Sequence, residues 1–134
     1  MDMERINPAG LARPSGFSHA VAAPAGGLVF LAGQLGMDRD GRVVPGGVVA
    51  QFGQALSNLL AALAAAGGHP SDLASLTIYL TDVEDYQAHG KEIGDVWRRL
   101  AGSDYPAMAG VGVTRLWQPD AVVEIQGFAV VSRS

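Results

Sequence analysis

Tyr105-Pro-Ala-Met-Ala-Gly-Val-Gly-Val-Thr-Arg-Leu-Trp-Gln-Pro-Asp-Ala-Val-Val-Glu-Ile-Gln-Gly-Phe-Ala-Val-Val131 is the stretch that decides the fold. It reads as two long strands around a Gln118-Pro119-Asp120 turn, a closing hairpin. One carboxylate, Glu124, stands inside an otherwise apolar strand. That strand is apolar on both faces: Ala121, Val123, Ile125, Ala129 and Val131 on one, Val122, Phe128 and Val130 on the other. A last strand of this kind needs cover on both sides.

Working back toward the N-terminus, the cover for one side comes from two helices. Val49, Phe52, Leu56, Leu59, Leu60 and Leu63 recur at three- and four-residue steps, a helical stripe that Gly67-Gly68 ends. Asp82 is a good N-cap for a second helix with the stripe Tyr86, Ile93, Val96, Trp97 and Leu100, ended by Gly102. Gly90 and Gly94 lie inside it and read as points of close packing against a neighbouring element. Between the helices, Leu76, Ile78 and Leu80 alternate with Thr77, Tyr79 and Thr81, a strand. Phe17 to Ala23 and Leu28 to Gly33 read as two further strands joined by a Pro24–Gly27 turn, and residues 4–7 as a short strand that Pro8 ends. Asp40-Gly41 marks a turn in the polar segment that follows.

The order β, β-β, α, β, α, β-β predicts an α+β domain of two layers, with about six strands in a mixed sheet and two helices on one face. Helices about 10 Å wide over strands about 4.8 Å apart cover only roughly four to five strands, and only one face. Another copy of the same chain is the expected cover for the second face.

The length of 134 residues fits one domain, residues 1–134, and the apolar share of 49% with 16% charged residues excludes disorder. The net charge of -4, with Arg98-Arg99 the only basic doublet, argues against a nucleic-acid partner. With no cysteine there is no disulfide and no thiolate nucleophile or ligand. The polar N-terminus lacks an apolar h-region, and the alanine-rich run Leu59 to Ala66 is too short to cross a bilayer. A soluble cytoplasmic protein without a membrane partner is the default expectation.

Glu124 is the first candidate for chemistry. Burial among Val122, Val123, Ile125 and Phe128 would raise its pKa and suit it to proton transfer near neutral pH. The alternative is a carboxylate that faces solvent or is bonded structurally to backbone or to an arginine. Arg115 reads as a structural or interface ion-pair partner. His19, His69 and His89 show no metal-ligand spacing, so neither a metal nor a cofactor is expected. Of the three, only His19 is a candidate to line a pocket, with a core or interface role as its alternative. Gly110-Val-Gly112 permits a ligand or backbone to come close but is no phosphate loop.

The whole pattern resembles the RidA family (YjgF/YER057c/UK114), whose best-known activity is the deamination of reactive imines and enamines. Phe30-Leu-Ala-Gly-Gln34, Ala50-Gln51-Phe-Gly-Gln54-Ala-Leu-Ser-Asn58, Leu76-Thr-Ile-Tyr-Leu-Thr-Asp82, and Tyr105-Pro-Ala with Val113-Thr-Arg-Leu116 and Val123-Glu-Ile125 carry the resemblance. They run in order over about residues 17–131. The resemblance implies a chorismate-mutase-like fold and a homotrimer with ligand clefts between subunits. It also implies a small-molecule metabolite as partner and hydrolysis of 2-imino and 2-enamino acids to keto acids and ammonia. Glu124 falls on the family glutamate that handles the water. Gly33 and Gln34 fall on the segment along the cleft, and Phe17 falls on a family tyrosine. Met108 stands where the deaminases place the arginine that grips the substrate carboxylate, and Gly110 where some members carry a cysteine. The family's asparagine on the second helix has no counterpart, since Gly90 or Lys91 falls there. The expected cleft is therefore more apolar than the deaminase cleft. Its expected use is either hydrolysis with an altered substrate range or non-catalytic binding of a small molecule or protein.

Overall fold

The computed structural model describes residues 3–132, so the expected limits at residues 1 and 134 lie outside the described residues. Six strands and three helices follow the order β1 (Glu4–Ile6), β2 (Ala20–Ala22), β3 (Gly27–Leu35), α1 (Gly47–Ala65), β4 (Leu73–Leu80), α2 (Val83–Ala88), α3 (Gly90–Ala101), β5 (Ala107–Gly112) and β6 (Val123–Val131). The fold is α+β with a mixed sheet, as the sequence predicts, but the strands divide differently. Four form one sheet in the order β3-β6-β4-β5, and β1 and β2 form a separate two-stranded ribbon.

The closing hairpin does not form. β4 lies between β5 and β6, parallel to the first and antiparallel to the second. The Gln118 turn does close, with Ala121 N–H donating to Gln118 O at 3.1 Å, but it lies within a loop that carries the chain past β4. The physical reason is the helical segment between β4 and β5. A strand-helix-strand unit returns its second strand parallel to its first, and that leaves the other edge of β4 for β6. The N-terminal hairpin is likewise absent: β2 pairs with β1, while β3 pairs with β6. Ser18 makes an isolated parallel bridge to Ala107 instead, tying the N-terminal segment to the start of β5.

The core lies between the sheet and the helices. Val48, Phe52, Leu56, Leu59 and Leu63 of α1 are buried against Leu76, Ile78, Val123, Ile125 and Ala129. Each large side chain so buried contributes about 1.5–3 kcal/mol. α1 has the length and mean hydropathy, 1.4, of a membrane span, but its apolar stripe is this core. The second helix is broken in two at His89, which ends α2 and precedes α3. Asp82 caps α2 as expected, accepting from Asp85 N–H at 3.0 Å. Ile93 and Trp97 of α3 are buried in the same core.

The opposite face of the sheet is open. Leu28 and Phe30 of β3 stand opposite Val130 and Phe128 of β6, and Phe30 is 71% exposed. Phe30 and Phe128 meet edge to face at 5.4 Å. A smaller apolar cluster of Leu35, Leu116 and Ala121 covers only one end of this face.

Candidate functional site

Glu124 owes its setting to a bulge. Leu31 pairs with Gly127 and Gln34 with Ile125, so Ala32 and Gly33 together oppose the single residue Gln126. The next pair is Leu35 and Glu124, with Tyr79 across from Glu124 on β4. The half-buried Glu124 carboxylate lies over Gly33, so closely that a Cβ at residue 33 would overlap it. Among the described residues Glu124 has no hydrogen-bond or ion-pair partner; the two ion pairs are His89–Asp85 and Arg98–Asp95. Arg115 is turned back on its own loop, its Nε–H donating to Leu116 O at 3.2 Å. Tyr79 Oη–H, on the same face, donates to Gln126 Oε1 at 3.2 Å.

α1 holds this corner in place through three polar side chains. Gln51, only 5% exposed, donates from Nε2 to Asp120 O at 3.2 Å and accepts from Val122 N–H at 2.9 Å. Asn58 donates to Leu35 O and Met37 O at 3.2 and 2.9 Å, and Gln54 donates to Asn58 Oδ1 at 2.8 Å. The end of β3 and the approach to β6 are thereby pinned on both sides of Glu124. Gln51→Leu leaves two backbone groups unpaired and is expected to cost about 2 kcal/mol. Tm should fall by about 5–10 °C in a thermal melt, and an unchanged Tm would contradict this reading of the Gln51 bonds.

The other expected site residues stand elsewhere. Gln34, paired with Ile125, belongs to the helix side of the sheet and borders an open groove with Gln54 and Asn58. Met108 pairs with Leu76 and packs against the main core, again on the helix side. Gly110 is exposed on the same strand. Phe17 meets His19 edge to face at 5.2 Å beside the start of β5, where Ser18 N–H donates to Pro106 O at 3.0 Å. Gly33 with Glu124, and Met108 with Gly110 and Phe17, thus form two groups. β3 and β5 are the two edges of the sheet, about 14 Å apart. Within one chain they do not make one cleft.

Met108 does border a cavity, of about 300 Å³, between α3, β5 and the Ser15-Gly16 loop. Trp97 and Tyr105 stack at 5.8 Å along one side, and Phe52 and Tyr86 meet at 6.1 Å along another. Burial pushes the Tyr86 phenol pKa up. Arg98 also borders the space, so the surroundings of Met108 are aromatic but not uncharged. From sequence, Arg98 reads as helix surface and Tyr86 and Trp97 as a helical stripe, not as site residues. The available signal was the glycine pair at 90 and 94. These glycines do not mark close packing: a Cβ at Gly90 would meet nothing within 4 Å, and one at Gly94 only the Arg98 guanidinium, at 3.5 Å.

The three histidines have local tasks. His19 Nε2 lies 2.6 Å from Ala12 O, His89 Nδ1 lies 2.8 Å from Asp85 O, and His69 N–H donates to Asp72 Oδ2 at 2.7 Å. His19 therefore ties down the N-terminal segment and does not border the cavity beside Met108.

Comparison with known proteins meets this geometry. The family model described as Endoribonuclease L-PSP matches residues 10–131. The 2-iminobutanoate/2-iminopropanoate deaminase of Capra hircus is 38% identical over 103 residues, 76% of this chain and 72% of that protein. The RutC family protein UK114 of Drosophila melanogaster is 35% identical over 127 residues, 93% and 87% of the two chains. Among solved structures, a Rid-family protein of unknown function, YyfB from Yersinia pestis, superposes with a TM-score of 0.86 at 32% identity, covering 98% of this chain and 100% of that one. The YjgF protein of E. coli gives 0.69 at 26% identity over 92% of each. The family-model match, the relatives and the superposed structures agree: the chain belongs to the RidA (YjgF/YER057c/UK114) family.

Proposed function

We propose that this protein is a hydrolase of small imine or enamine metabolites, working as a homotrimer with its clefts between subunits. It would be one RidA-like domain of 134 residues, with a cytoplasmic location. The observation that carries the reading is the Glu124 carboxylate, half-buried, without a partner among the described residues, and laid over Gly33 at the bulge. A carboxylate so placed accepts the proton of a water molecule as the water oxygen bonds to the imine carbon. Glu124 passes that proton to the nitrogen, the hydroxyl of the resulting carbinolamine gives up the second water proton to it, the C–N bond breaks, ammonia leaves and a carbonyl remains. Water and imine are consumed in equal number, and no oxidant or cofactor enters. Relatives named 2-iminobutanoate/2-iminopropanoate deaminase support the reaction class. The test is release of pyruvate from 2-aminoacrylate generated in solution, with and without the protein; no acceleration would remove this reading for that substrate.

The assembly follows from the two half-sites. Glu124 with Gly33 and Met108 with Phe17 and Gly110 border opposite edges of one sheet, so a second copy is needed to bring them together. The exposed Leu28, Phe30 and Phe128 give the open face a reason to be covered. Sedimentation should give three times the chain mass of 13.8 kDa. Phe30→Asp would bury an unpaired charge in every interface, at several kcal/mol each. It is expected to leave folded monomers with no catalysed pyruvate release, and a trimeric Phe30→Asp protein would place the interface elsewhere.

A second reading is favoured by one observation. Met108 packs against the core and brings no charge to the position where the family resemblance implies an arginine. Non-catalytic binding on the same trimer, with Glu124 as a hydrogen-bond acceptor, follows if pyruvate release is not accelerated but a small molecule is still held.

A further inference from the structure

Glu124 is the only charged residue in the four strands of the main sheet. With no partner among the described residues, its carboxylate takes the place that its neighbours leave it. Gly33 leaves the place over β3, where the carboxylate lies. β6 runs between β3 and β4, so the other side belongs to β4. There Tyr79 stands directly across from Glu124, with Cβ atoms about 5 Å apart. Its ring packs against the cluster of Leu35, Leu116 and Ala121 and walls that side. Its hydroxyl is given to Gln126 Oε1, at 3.2 Å, the one hydrogen bond between side chains of this sheet among the described residues. Gln126 lies two residues along β6 on the face of Glu124, opposite Ala32 and Gly33, and bounds the carboxylate along the strand. With Oε1 turned to β4, the amide leaves its NH₂ end to the β3 side, the side on which the carboxylate lies. A donor beside a carboxylate is tolerated, whereas a second acceptor repels it.

We propose that Tyr79 is a positioning residue for the hydrolysis: its hydroxyl fixes the Gln126 side chain, and the two together hold the Glu124 carboxylate over Gly33. Tyr79 acts through Gln126 and touches neither the water nor the imine. The inference rests on the proposed hydrolase reading for the reaction that Glu124 performs, but not for the place the carboxylate takes. A phenylalanine at 79 keeps the wall and removes the tie. The freed amide can then turn Oε1 toward the carboxylate, and two acceptors with no proton between them move apart.

The test compares the full chain with Tyr79→Phe, Gln126→Met and the double variant. Each single change is expected to lower kcat for pyruvate release from 2-aminoacrylate by about 10-fold, the worth of one hydrogen bond. KM should stay within about 2-fold, because substrate binding is untouched, and Tm within about 5 °C. The double variant should be no slower than the slower single one, since either change already breaks the tie. Crystal structures of the parent and of Tyr79→Phe read the same claim without turnover. The parent should show one carboxylate position over Gly33, and the variant a carboxylate displaced by about 1 Å or more, a shift large enough to slow the reaction. A carboxylate that keeps its place in Tyr79→Phe, an unchanged kcat in an active protein, losses that multiply in the double variant, or a loss that appears in KM alone would each overturn the proposal. A carboxylate moved by Tyr79→Phe, in a protein that does not accelerate pyruvate release, separates a failed hydrolase reading from a failed positioning pair. An active parent whose carboxylate stays in place in the variant separates the converse.

Discussion

Glu124→Gln is expected to lower the catalysed release of pyruvate from 2-aminoacrylate by about 10²–10⁴-fold, the usual contribution of a positioned general base. The amide keeps the shape of the side chain and its place between Leu35 and Tyr79. It loses the capacity to accept a proton from water. Because Glu124 makes no hydrogen bond or ion pair among the described residues, the exchange leaves no partner stranded, and Tm should stay within about 2 °C. Gly33→Ala probes the same site from the other side. A Cβ there would overlap the far end of the Glu124 side chain, which can swing away at little cost in stability. The carboxylate would then stand an ångström or more from its place, a displacement that costs about 10²-fold in rate. Loss of rate in both variants with retained Tm identifies a functional carboxylate. A Glu124→Gln protein with the wild-type rate would take Glu124 out of the chemistry.

How much of this was legible beforehand depended on whether the signal is local. The α1 stripe, the Asp82 cap and the terminators Gly67 and Gly102 are set by neighbours a few residues away. They are in the structure where the spacing puts them, Gly67 and Gly102 with φ of 89° and 85°. Strand pairing is not local. Two apolar runs around Gln118-Pro119-Asp120 look the same whether they pair with each other or receive β4 between them. The deciding information was the helical segment between β4 and β5, some distance from the turn. The break at His89 was missed for a related reason: Gly90 fits the middle of a helix as readily as the first position of a new one.

The candidate site divides along the same line. Glu124 stands out as a carboxylate in an apolar run, a signal within one strand. The bulge that seats it depends on the register between β3 and β6, and nothing in Ala32-Gly33 alone announces it. Gln34 shows the consequence. The extra residue of the bulge carries Gln34 to the side of Ile125 and leaves Leu35 opposite Glu124. Arg98 read as helix surface because it is, at its exposed edge, and only the fold shows that this edge borders the cavity beside Met108.

One substitution, glycine to alanine, should have opposite effects at two positions, and the contrast tests the packing of β4 on β6. At Gly127 the added Cβ would overlap both the Leu76 side chain and the Ser75 carbonyl oxygen. A side chain can rotate away, but a backbone carbonyl in a paired strand cannot. The register between β4 and β6 shifts between Leu73 and Ser75, and this brings the Ser75 carbonyl toward Gly127. Gly127 has no positive φ, so the constraint is the closeness of the two strands and not the backbone conformation. Gly127→Ala is expected to push the central pair of the sheet apart at a cost of at least about 3 kcal/mol. Against a total stability of roughly 5–15 kcal/mol, that lowers Tm by more than about 10 °C or prevents soluble expression. At Gly53 the added Cβ would meet only Val96 Cγ1, at 3.6 Å, an ordinary contact between α1 and α3. Gly53→Ala replaces a poor helix former by the best one inside a 19-residue helix and should stabilise by about 0.5–1 kcal/mol. Thermal melts of the two variants beside the parent decide the matter. A Gly127→Ala protein that melts with the parent would mean that β4 and β6 are not so closely paired at Ser75. The strand that carries Glu124 would then be less firmly placed than the site requires.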